Sequence, residues 1–263
     1  MSTTAESKRL TLAWGILAVR IGAVFVVTLV MWGLLAGFFN TPGFPPSTLW
    51  ATLGLLPVNL FCLWLVLRLY RREGIPLRDA LGIRRGKVGR DILWGLLWLF
   101  VVNIPYVIAI GAMVYLLYGE DAPAAFETIF VNPDATTAIS PVWLLVISIV
   151  SVIPFMIINA PTEELVYRGY AMRGLAEKHG GAFAVLATSV TFGVQHMAFA
   201  ATPAGMIVFF VAFTVWGLGA AIIVRKQGRL FSIVVAHWLI NIMLAAPAIV
   251  FPILQLTGVA EAS

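Results

Sequence analysis

Two adjacent carboxylates, Glu163 and Glu164, stand shortly before Arg168 in the run Pro161-Thr162-Glu163-Glu164-Leu165-Val166-Tyr167-Arg168. Further along the chain His196 follows Phe192 by four residues, and Asn241 follows His237 by four. These residue types supply a general base, titratable imidazoles and hydrogen-bond donors, which are the parts needed for water-mediated acyl cleavage. On a helix, Glu164 and Arg168 share a face and can form an ion pair. Glu163 points about 100° away at 3.6 residues per turn. It is then left without that cation and free to face a cavity. The bland alternative is a charged helix start near a membrane interface, with Pro161 early in the helix and the carboxylates favoured by its dipole. There is no G-x-S-x-G nucleophile elbow and no H-E-x-x-H metalloprotease helix.

Of the three histidines, His196 and His237 lie deep in apolar segments, where an imidazole needs a partner. The third, His179, sits at a turn beside Gly180 and Gly181. If residues 162–178 and 182–201 form an antiparallel hairpin about Gly180, Glu163 lies 17 residues before the bend and His196 lies 16 after it. At about 1.5 Å per residue both are roughly 25 Å from the turn, and so at one height. His237, on a later helix entering from the same side, can converge on them.

The elements that would position these side chains are membrane spans. The chain has 263 residues, of which 61% are hydrophobic and 11% charged, and a mean hydropathy of +0.97. Soluble domains are about 45–50% apolar and about 25% charged, so a soluble fold could not bury this much apolar surface. Apolar runs at about 10–38, 49–69, 92–117, 141–160, 181–201, 204–224 and 230–254 are each long enough to cross roughly 30 Å of hydrocarbon. The expected fold is therefore all-α, a single polytopic transmembrane bundle over residues 1–263. It has seven spans, or eight if Pro247 divides the last. The first is too long for a signal-peptide core and reads as a retained anchor. Residues 162–178 read as a polar stretch between two spans.

Short basic loops stay cytoplasmic. The loop after the second span carries Arg71, Arg72, Arg78, Arg84, Arg85, Lys87 and Arg90. The loop after the third carries Glu120, Asp121, Glu127 and Asp134 and no basic residue. Arg173 and Lys178, then Arg225, Lys226 and Arg229, mark two more cytoplasmic turns, so the N-terminus is expected inside and the C-terminus outside. The net charge of +5 follows from this arrangement and from contact with anionic lipid. The basic residues are dispersed along membrane edges, so nucleic acid is not an expected partner. The single cysteine, Cys62, allows no intramolecular disulfide. Arg20 in the first span reads as a snorkelling side chain, and Asn103 beside Pro105 as a kink marker.

Taken in order, Glu163-Glu164-x-x-x-Arg168, Phe192-x-x-x-His196 and His237-x-x-x-Asn241 resemble the three motifs of the CAAX protease and bacteriocin-processing family of intramembrane endopeptidases. That group includes the Ras-converting prenyl-protein protease. The resemblance covers roughly residues 140–245 as a catalytic core. It implies that Glu163 activates water with help from His196, that His237 and Asn241 stabilise the oxyanion, and that Glu164, Arg168 and Phe192 support them. It also implies a membrane-associated protein or peptide substrate, prenylated in the CAAX case. Short loops and the lack of appended domains point to a prokaryotic plasma membrane. Family naming often says metalloprotease, and Glu163, His196 and His237 are zinc ligands by type. Prenyl-protein members are also described as metal-free glutamate proteases, and the expectation here is no cofactor. Two other classes are weighed beside this one. They are a non-catalytic scaffold or bacteriocin self-immunity protein of the same fold, and a transporter, for which no paired broken helices appear.

Overall fold

A computed structural model describes residues 3–259. The Glu127 side chain, counted above among the acidic residues, lies outside the described residues. The described residues form helices joined by short loops and contain no strand. Its helices are α1 (Thr3–Phe39), α2 (Thr48–Arg72), the short α3 (Leu77–Leu81), α4 (Val88–Tyr118), α5 (Ala122–Phe130) and α6 (Pro141–Glu164). A π-helical segment, Leu165–Ala171, joins α6 to α7 (Met172–His179). After it come α8 (Gly181–His196), α9 (Pro203–Gln227), α10 (Phe231–Ala245) and α11 (Pro247–Leu256). Seven of the resulting helical stretches are long and apolar enough to cross a membrane. The protein is an integral, multi-pass membrane protein.

The distribution of polarity is that of a membrane bundle. Val26, Phe38, Phe100, Val107, Ile108, Leu116 and Leu244 stand on the outside, while Arg20, Asp91, Glu163, Glu164 and Arg168 are buried. Hydrocarbon solvates the first group well, and the second group must find its partners within the protein. The helices therefore hide polarity and close packing rather than bulk hydrophobicity.

Close approach comes from small residues, as expected where the surrounding lipid is as apolar as leucine. α8 packs along α9, and α4 covers α9 and α10. At the α8–α9 crossing a Cβ on Gly193 would meet the Thr214 hydroxyl and stand 2.5 Å from the Phe210 carbonyl oxygen. At the α4–α10 crossing a Cβ on Gly95 would meet Val235 Cγ1 at 2.6 Å. Backbone cannot yield as a side-chain tip can, so Gly193→Ala is expected to destabilise the protein by about 1–3 kcal/mol. Thermal unfolding in detergent measures the loss.

Three expectations change. Residues 162–178 are not a polar connection between spans: α6 runs on through the π segment into α7, and Pro141–His179 is one helical stretch of 39 residues. At about 1.5 Å per residue it exceeds the hydrocarbon thickness, so its α7 end projects beyond the bilayer. Pro161 is inside α6 rather than at a helix start. A proline frees the carbonyl four residues back, and here that group, Ile157 O, accepts a hydrogen bond from Trp238 Nε1 at 3.0 Å. Finally, Arg20 does not reach for the membrane edge but points into the core, fully buried. Four side-chain partners there outcompete lipid headgroups.

Ala246 keeps right-handed helical backbone between α10 and α11, so the last segment is a single span packed along α6. The Asn103 amide donates to the Leu99 carbonyl in its own helix. The predicted hairpin forms, turned by Gly180 at φ 82°, and α7 packs on α8. One end of the bundle is tied by Arg9 to Glu73 and Glu177 and by Arg229 to Asp91 at 2.7 Å. The opposite end is tied through Trp50 Nε1 to Thr137 and Thr202 Oγ1 to the Ile129 carbonyl.

Candidate active site

α6 ends on the two carboxylates, and the helix then widens for seven residues. π segments carry a local energetic penalty and are frequent at functional sites. This one directs Tyr167 and Arg168 inward, and every residue from Leu165 to Ala171 is buried.

Each carboxylate has its own guanidinium. Arg168 Nη1 lies 3.2 Å from Glu164 Oε1, the pairing expected from the spacing. The Arg168 guanidinium also sits 4.2 Å from the centre of the Phe192 ring and 5.3 Å from that of Trp216. These faces offer cation–π attraction to a guanidinium whose Nε and Nη2 have no hydrogen-bond partner. Phe192 thus acts as the floor beneath the motif arginine. Replacing Arg168 with methionine leaves Glu164 buried with only His237 beside it. We expect a stability loss of about 3 kcal/mol, read by thermal unfolding.

Glu163 was expected to lack a cation, but it has one. Arg20 Nη2 donates to Glu163 Oε1 at 2.8 Å. Gln195 Nε2 donates to the same oxygen. The other oxygen, Oε2, has no hydrogen-bond partner and lies 3.5 Å from His237 Nε2.

The His237 Nδ1 atom is 2.9 Å from Glu164 Oε1. Since an ionised carboxylate only accepts, Nδ1 carries the proton and Nε2 is the atom turned to Glu163. One helical turn on, Asn241 is 6% exposed and its Nδ2 has no partner. Buried polar atoms left unsatisfied are uncommon and point to a group that a reactant would satisfy.

His196 makes no hydrogen bond to Glu163. Its Nδ1 is 2.7 Å from the Phe192 carbonyl, so Nδ1 donates and Nε2 is the acceptor in the neutral ring. The ring stacks on Phe213 at 3.7 Å. Phe192 lies between the imidazoles, 4.4 Å from the His196 ring centre and 6.3 Å from that of His237. At the level of Glu163 the hairpin places Gln195 in direct contact and His196 one residue beyond.

Sequence reasoning passed over Gln195, Asn59, Asn159 and Tyr167 and misread Arg20. The available signal was depth. Asn59, Asn159 and Gln195 are amides inside otherwise apolar spans, and each needs an internal partner.

Among the described residues no three His, Cys, Asp or Glu side chains converge as ligands. Glu163 Oε1 already takes two donors, one of them a cation.

Residues 142–243 match the family model described as Type II CAAX prenyl endopeptidase Rce1-like. That stretch of the chain is similar to this CAAX protease family. The matched segment opens in α6 and closes in α10, so it contains all three motifs and the π segment. In general terms the match supports a CAAX-type intramembrane endopeptidase. Comparison with curated proteins and with solved structures gives no match.

Proposed function

We propose that the protein is a CAAX protease and hydrolyses a peptide bond in a prenylated, membrane-associated protein or peptide, using water activated by Glu163 and no metal. The observation that carries the reading is the juxtaposition of unused capacity: an acceptor at Glu163 Oε2, a ring nitrogen of His237 3.5 Å away, and an unpartnered amide on Asn241. A water held by Glu163 Oε2 loses its proton to that oxygen as its own oxygen attacks the carbonyl carbon. His196 Nε2 can accept the second water hydrogen and so fix the attack direction. Negative charge then develops on the carbonyl oxygen, where Asn241 Nδ2 donates to it and His237 donates through Nε2 in its imidazolium form, with the Nδ1 proton held by Glu164. As the tetrahedral intermediate collapses, the C–N bond breaks and the proton on Glu163 passes to the leaving amine. Glu164 stabilises His237 through Nδ1, and Arg168 stabilises Glu164. They orient the donors and do not touch the reacting bond.

The lipid-bearing substrate is supported by a cleft of about 460 Å³ between α6 and α10. Its lining includes Met156, Ile157, Trp238 and Leu239, all apolar, and it flanks the helix that carries His237 and Asn241. The basic end of the bundle supports a cytoplasmic N-terminus. A prenylated C-terminal peptide incubated with the purified protein, with and without chelator, tests the reading. Mass spectrometry should find the same cleavage products at equal rates in both samples. An intact peptide beside folded protein would remove the activity, and loss of cleavage on chelation would remove the metal-free chemistry.

A further inference from the structure

Arg20 is a charge in the middle of the first span with no exposed atom, so a partner set must outweigh its desolvation. Its guanidinium spends its donors on three other helices. Nε donates to Gln195 Oε1 at 2.9 Å, Nη1 to Asn59 Oδ1 at 2.7 Å, and Nη2 to Glu163 Oε1 at 2.8 Å and Asn159 Oδ1 at 3.4 Å. Gln195 is fixed in turn by the Tyr167 hydroxyl, which donates to Gln195 Oε1 at 3.0 Å. With its oxygen taken by two donors, the Gln195 amide can only present Nε2, and it presents it to Glu163 Oε1.

Both donors to Glu163 therefore land on the same oxygen. A carboxylate held at one oxygen by two divergent donors cannot rotate about its last torsion without breaking both bonds. Its second oxygen is left fixed and unengaged, facing His237. We propose that Arg20 and Gln195 are positioning residues for the hydrolytic step, dividing the Glu163 carboxylate into an anchored oxygen and a working one. Lysine cannot substitute fully for Arg20, because a point charge lacks the planar fork that reaches Gln195, Asn59 and Glu163 together. The inference rests on the reading of Glu163 as the base.

The test compares kcat and KM for a prenylated C-terminal peptide in the full-length wild type and in Gln195→Met, Arg20→Lys, Arg20→Met and Glu163→Gln. Rates are normalised to folded protein measured by gel filtration. Gln195→Met removes one donor to a charged oxygen while keeping volume, so kcat should fall about tenfold to hundredfold with KM within about threefold. Arg20→Lys should fall less than Arg20→Met, and Arg20→Met should lower the residual rate of Glu163→Gln no further. A purely structural clamp would reduce the folded fraction and leave kcat per folded molecule unchanged. If Arg20→Met does not fold, Gln195→Met and Arg20→Lys decide the question. Wild-type kcat in both, with Glu163→Gln inactive, overturns the proposal. Retained activity in Glu163→Gln removes the base itself, and the proposal with it.

Discussion

Glu163→Gln is expected to lower kcat for peptide cleavage by about 10²–10⁴-fold, the range ascribed to a positioned general base, with KM little changed. Glutamine keeps the shape and can still accept from Arg20 and Gln195, but it cannot take the proton of the attacking water. The same substitution leaves Arg20 buried without a counter-charge. Breaking a buried pair on one side costs about 3–5 kcal/mol, so folded yield and melting temperature should fall too. Initial rates over a range of substrate, expressed per folded molecule, separate the two effects. A non-catalytic scaffold or immunity role would leave the biological effect of the protein unchanged in this variant, provided that it reaches the membrane.

His237→Ala and Asn241→Leu should each reduce kcat by about 10²–10³-fold, the range for loss of one preorganised oxyanion donor. Neither residue anchors Glu163 Oε1, so the base stays oriented in both variants. Asn241→Leu is the cleaner test, because its Nδ2 has no partner in the resting protein and its removal orphans nothing. His237→Ala also takes one partner from Glu164, which keeps Arg168. Two donors acting on one oxygen form a unit, so the double variant should lose less than the product of the single losses. Steady-state kinetics on all three proteins measures that non-additivity.

Much of this architecture was legible in the sequence because hydrocarbon imposes a length rule. Apolar runs such as 49–69 and 204–224 became α2 and α9, with the charged residues at their ends adding a turn of helix. Gly180 marked the hairpin, and the four-residue spacing of Glu164 and Arg168 gave their pair. Lateral arrangement was not legible, since a helix apolar on all sides does not say which face its neighbours cover. Arg20 illustrates the gap. Snorkelling and burial are equally compatible with a lone arginine in a span, and only the convergence of Asn59, Asn159, Glu163 and Gln195 from other helices decides between them. The π segment was hidden as well, because the run Leu165–Ala171 reads as ordinary helix in the sequence.

Because the hydrolytic step is assigned to water rather than to a side-chain nucleophile, the fate of the solvent oxygen tests the account most directly. A single turnover in water labelled with heavy oxygen, with enzyme in excess over prenylated peptide, followed by mass spectrometry of both product and protein, reads it. The predicted result is label in the new carboxylate of the cleaved peptide and none in the fragment of protein that carries Glu163. Label appearing in that fragment, with unlabelled product in the first turnover, would mean that Glu163 attacks the substrate itself, and would contradict the account.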